Sequence, residues 1–148
     1  MSDATIPSPV WVVDTSVVVA GVLTADPESP PVRILDSMLN GRLRFLLCVD
    51  LLAEYRTVLL RPRIQARHNL STDDVDALLK ALATDAVVVD IAGRNETAPD
   101  SGDDFLWQLL AARPGAGLIT GDSALLAGAP PGTRVVSPRT WLDELSAS

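Results

Sequence analysis

Apolar residues are spaced along the chain with two alternating rhythms. The run "VWVVD" (10–14) is unbroken and mostly β-branched, which predicts a strand covered on both faces in a parallel sheet. The run stops at a carboxylate, and "TSVVVAGVLT" can then start a helix capped by Asp14 or Ser16. After a proline-dense loop, "ADPESPP", the nine residues "VRILDSMLN" predict an amphipathic helix, closed by Asn40-Gly41, and "RFLLCV" a second strand. In "DLLAEYRTVLL" the residues Leu51, Leu52, Tyr55, Val58 and Leu59 form one helical stripe, which Pro62 limits. Glu54 falls on the flank of that stripe, where a side chain can lean into a cleft. "NLSTDDVDALLKALAT" predicts a further helix with Ser71 and Asp74 in capping-box spacing, and "AVVVDIA" another buried strand. The polar stretch "GRNETAPDSGDD" reads as a loop before a helix in "DFLWQLLAARPG". "GLIT", "SALLAG", "TRVVS" and "PRTWLDELS" then predict strand, helical turn, strand and terminal helix. Strands alternating with helices imply a parallel sheet between helical layers.

The length of 148 residues suits a single domain, 1–148, and 47% hydrophobic residues against 21% charged ones are enough to fold a core. The N-terminus "MSDATIPSPV" has an acid where a signal peptide is basic. No apolar run approaches the roughly 18 residues of a membrane span. The expected setting is therefore the cytoplasm, with no membrane contact. The one cysteine, Cys48, lies in "FLLCV" and reads as a small buried hydrophobe. Trp11, Trp107 and Trp141 read as core residues, though each could also serve an interface. The single histidine, His68, sits in the polar "RIQARHN" and reads as a surface residue. One histidine and one cysteine leave no material for a zinc site of the His/Cys kind or for an imidazole-centred triad. Net charge is 12 − 19 = −7, the wrong sign for binding nucleic acid through bulk charge. Any chemistry must come from carboxylates.

In open parallel sheets, ligands bind outside the carboxyl ends of the strands where strand order reverses. Asp14 follows the first strand, Asp122 follows "GLIT" one glycine later, and Asp103 and Asp104 open the helix before that strand. Neighbouring strands lie about 4.8 Å apart, so these acids can converge. Two negative charges about 4 Å apart repel by roughly 4 kcal/mol at an effective dielectric of about 20. Such a cluster needs protons or a divalent cation, and oxygen ligands suit Mg²⁺ or Mn²⁺. Each acid also has a simpler reading. Asp14 and Asp122 can cap helices, Asp104 can complete a box begun by Ser101, and Glu54 can be a solvated helix carboxylate.

Taken together, "VVDTSVVVAG", "LLAEYRTVLLRPRI", "DSGDDFLWQLLAA" and "LITGDSALL" resemble the PIN-domain family, in particular its nuclease branch related to VapC-type toxins. The match runs along nearly the whole chain, and "VVSPRTWLDEL" is similar to that branch's last strand and helix. The resemblance implies an α/β/α sandwich around a central parallel sheet and a Mg²⁺- or Mn²⁺-dependent ribonuclease site. Carried over residue by residue, it assigns catalysis to Asp14, Glu54, Asp103 and Asp122, and metal binding to Asp14, Asp103, Asp104 and Asp122. An ungapped match back from "TGD" favours Asp103 as the third acid, with Asp104 competing. Thr15, Ser16 and Thr120 fall in supporting positions. The acids would carry the metal while Arg56, Arg61, Arg63 and Arg67, with His68, contact RNA phosphates. The bland reading of these arginines is a solvated helix end. The resemblance also implies a toxin role, an antitoxin partner and a homodimer. Two readings compete: a non-catalytic PIN-like RNA- or protein-binding module, and an aspartyl-phosphate or receiver-like module. Against the latter, "DTSV" lacks a second aspartate two residues on, and Lys80 lies away from any strand end.

Overall fold

The computed structural model describes residues 9–91, 104–129 and 132–147. Five parallel strands form one sheet: β1 (Val10–Val13), β2 (Arg44–Leu47), β3 (Val87–Val88), β4 (Gly117–Ile119) and β5 (Val135–Val136), in the order β3-β2-β1-β4-β5. Among the described residues the helices are α1 (Thr15–Leu23), α2 (Pro30–Leu39), α3 (Val49–Leu59), α4 (Pro62–His68), α5 (Thr72–Asp85), α6 (Asp104–Ala112), α7 (Ser123–Ala127) and α8 (Pro138–Ala147). The architecture is the expected α/β/α sandwich. β1 is central and buried along its length, which is why its sequence needs no polar position. The three tryptophans and Cys48 are buried.

The order of the strands decides where the site can lie. From β1 the chain crosses to β2 on one side, and β4 later pairs on the other, so the order reverses between β1 and β4. The Asp14 amide continues this pairing by donating to the Ile119 carbonyl at 2.9 Å. A crevice at the carboxyl ends of β1 and β4 is therefore built into the topology.

Three expectations are corrected. The "AVVVDIA" segment is not a buried strand: only Val87 and Val88 pair, at the sheet edge, and Val88 is 66% exposed. An apolar run does not distinguish a central strand from an edge. Pro62 does more than end a helix. It occupies the first turn of α4, where its missing N–H is no loss. His68 is half-buried and not a plain surface residue: its Nε2 lies 2.9 Å from the Leu59 carbonyl, and its Nδ1 accepts from the Leu70 amide at 2.9 Å. With both nitrogens tied to backbone, it fastens α4 to the end of α3. The capping box of Ser71 and Asp74 forms as expected.

Candidate active site

β1 delivers Asp14 to the crevice. The residue stands at the N-cap position of α1, yet its carboxylate accepts no backbone N–H there. Instead Oδ2 accepts two hydroxyls, from Ser16 at 3.0 Å and from Thr120 at 2.7 Å, and Oδ1 takes part in neither bond. Capping therefore does not explain Asp14. The residue is 6% exposed, and among the described residues no cation pairs with it. A carboxylate removed from water and balanced only by hydroxyl dipoles is costly unless something positive joins it.

Glu54 reaches the same place from α3. Its Oε2 accepts a hydrogen bond from the Thr15 hydroxyl, and Asp14, Thr15, Ser16 and Glu54 together line an open cleft of about 490 Å³. The next residue on α3, Tyr55, is fully buried and donates its hydroxyl to the Val13 carbonyl at 2.5 Å. Adjacent residues of one helix thus hold the two residues on either side of Asp14. Burial raises the Tyr55 hydroxyl well above the ordinary tyrosine range, and the negative charges of Asp14, Cys48 and Glu54 add to the effect.

Tyr55→Phe is expected to cost about 1–3 kcal/mol by leaving the Val13 carbonyl without its donor. It should also change the alkaline limit of stability. Because folding raises this pKa, the tyrosine's contribution is complete below about pH 10, its unfolded value, and is lost as pH rises from there through the folded value. Denaturant unfolding followed against pH checks both parts: the variant should begin less stable and lose less above pH 10.

Asp122 is exposed and caps α7, its Oδ1 accepting from the Ala124 amide at 2.8 Å, so the capping reading holds for this acid. It is still coupled to Asp14. The Thr120 hydroxyl that donates to Asp14 accepts from the Asp122 amide at 3.0 Å. Asp103 lies outside the described residues. Asp104 is the first residue of α6, but its side chain is outside them too. Among the described residues no three acids, histidines or cysteines are grouped so as to hold a metal. The chemistry of the donors nonetheless fits a hard cation: two carboxylates in one cleft, a third linked through Thr120, and neither sulfur nor imidazole among them.

The arginines divide. Arg56 is engaged with Asp76 at 2.7 and 3.4 Å, an exposed pair that holds the Asp76 carboxyl below its ordinary range. Arg61 lines the cleft with the acids, whereas Arg63 and Arg67 are exposed on α4. Val19, Ala20, Leu23 and Val58, which complete the cleft lining, are not singled out by any motif. One signal was present: after Ser16, α1 has no polar side chain on any face, more apolar surface than packing against one layer needs.

No curated protein matches the chain. Among solved structures, one similar to it is that of VapBC2 from Rickettsia felis bound to a DNA fragment from their promoter. The TM-score is 0.57 at 10% identity, covering 86% of this chain and 98% of that one. Another is the PIN domain of RRP44 from T. brucei, with a TM-score of 0.50 at 14% identity, covering 95% of this chain and 83% of that one. At such identities the likeness concerns the fold. A family model described as PIN domain matches residues 10–124, a span that runs from the start of β1 through Asp14, Glu54 and Asp122. The chain belongs to the PIN-domain nuclease family.

Proposed function

We propose that this protein is a divalent-metal-dependent endoribonuclease and the toxin half of a toxin–antitoxin pair, working in the cytoplasm. The observation that carries the nuclease reading is Asp14, buried without a cation partner among the described residues, in one cleft with Glu54 and joined through Thr120 to Asp122. Asp14 and Asp122, with Asp103 or Asp104, would hold Mg²⁺ or Mn²⁺. Once bound, such an ion acidifies water and offsets charge at the phosphate. The reaction is hydrolysis of a phosphodiester: water adds at phosphorus, one P–O ester bond breaks, and the leaving oxygen takes a proton.

The chain's own groups would position that exchange. Ser16 and Thr120 fix the Asp14 carboxylate through Oδ2. Thr15 fixes Glu54, which faces the same cleft. Arg61 would meet a substrate phosphate there, while Arg63 and Arg67 would extend the contact along α4 and Arg56 would contribute less, being paired. A toxin role, an antitoxin partner and a homodimer are part of the same proposal: the resemblance to the family's VapC-type branch supports them, and a structure of similar fold is a VapBC2 complex.

The test is cleavage of a labelled mixed single-stranded RNA by the purified protein with Mg²⁺, with Mn²⁺ and with chelator. Cutting that appears with metal and stops with chelator supports the reading. No cutting with either ion, and no rise in melting temperature on adding them, would replace it with a non-catalytic PIN-like binding module.

A further inference from the structure

The acids are only part of the cleft lining. Val19, Ala20 and Leu23 from α1 and Val58 from α3 also line it, together with Arg61. Ala20, Leu23 and Val58 are only half-buried, so this apolar surface is not consumed by the core. Nor is it consumed by α2, which meets α1 elsewhere: a Cβ at Gly21 would lie 2.8 Å from the Pro31 carbonyl oxygen and 3.0 Å from the Leu35 Cβ. The side chains of Val19, Ala20, Leu23 and Val58 offer a ligand no hydrogen bond; only Arg61 beside them does.

We propose that this wall is a slot for one unpaired nucleobase beside the phosphate at the acids, accepting the base by shape without reading its identity. The inference rests on the ribonuclease reading above. An apolar surface in one cleft with two carboxylates and an arginine that makes no ion pair among the described residues matches a nucleotide, which joins a flat apolar body to a charged phosphate. A protein partner's helix fits less well. Docked helices use anchors spread over two turns or more, whereas the α1 part of the wall runs from Val19 to Leu23, about 6 Å of helix. A base held in a duplex has its faces stacked and cannot enter, so the slot takes a base only where it is unpaired.

The experiment walks one abasic ribose along a fluorescent single-stranded RNA and measures two things: cleavage with Mg²⁺, and binding by anisotropy with Ca²⁺ in place of Mg²⁺. Wild type and Ala20→Leu are compared. Leucine fills the slot and is a good helix former, so α1 is kept. Wild type should bind about tenfold more weakly when the missing base falls at one position, and Ala20→Leu should lose that positional effect. If Ala20→Leu melts well below wild type, Leu23→Ala serves instead: it opens the slot and should shrink the effect. Swapping one base for another at that position should change affinity little.

The outcomes separate the two readings. Metal-dependent cutting with a flat abasic walk overturns the slot, leaves the nuclease, and turns the wall over to a protein partner. Position-dependent binding without cutting keeps the slot and removes the nuclease. Neither cutting nor position-dependent binding overturns both.

Discussion

Asp14→Asn should lower RNA cleavage by more than a hundredfold while leaving the protein as stable as wild type or slightly more so. The two halves of this result have different causes. Asparagine keeps the shape and can still accept the Ser16 and Thr120 hydroxyls through its amide oxygen, so the bonds at 3.0 and 2.7 Å survive. What disappears is a buried negative charge in one cleft with Glu54, which favours the folded protein without metal and, on the proposed reading, also takes away a metal ligand. Changes to groups that only orient ligands typically cost 10–100-fold, so loss of a ligand should cost more. Melting curves with and without Mg²⁺ separate the effects: a ligand present at about 100 times its dissociation constant stabilises by roughly 2.7 kcal/mol. Wild type should show a metal-dependent rise and the variant none. A variant that cuts RNA normally would remove Asp14 from the machinery.

Gly117→Ala is expected to destabilise by about 1–3 kcal/mol through a single methyl group, a large effect for a residue with no role in the chemistry. Trp11 on β1 is in register with Gly117 on β4, and its ring lies across the glycine. A Cβ there would meet two Trp11 ring carbons at 2.5 and 2.7 Å and the Arg134 carbonyl oxygen at 3.1 Å. The ring has little room to retreat, being buried, with the Arg134 guanidinium 5.6 Å from its centroid. Denaturant titration should show a lower midpoint with an unchanged slope. In a Trp11→Leu background the same substitution should cost markedly less, since the clash needs both partners. Equal cost in both backgrounds would show that the strain lies in the backbone.

Much of this was legible in the sequence. A β-branched run with no polar interruption suits a strand covered on both faces, and β1 is one. The interruption at Asp14 was the stronger signal, because a carboxylate ending such a strand needs a reason. The structure narrows that reason by giving its Oδ2 two hydroxyls and no backbone amide. For Asp122 the same sequence argument leads to a real cap. Sequence could not separate the two cases, since the difference lies in where Thr120, 106 residues away from Asp14, directs its hydroxyl. β3 was overestimated because edge and centre share a composition. α4 was missed because a proline stops one helix and starts another with the same ring. The role of His68 depends on two backbone groups placed by tertiary folding, and no local pattern encodes it.

The paired grip of α3 on the end of β1 also bears on motion. Functional loops are usually drawn from the parts of a protein that open most easily. Here the Asp14 amide is locked to Ile119 across the sheet, and Tyr55 and Glu54 clamp its two neighbours. Opening this end of the sheet means pulling the buried face of α3, Leu51, Tyr55 and Leu59, off the core, which gives up the packing that global unfolding gives up. Amide hydrogens at Asp14 should therefore exchange at the slow, global rate. On the ribonuclease reading proposed above, a site held so firmly would leave the moving to its substrate: the RNA would have to bring its phosphate to carboxylates that do not come to meet it.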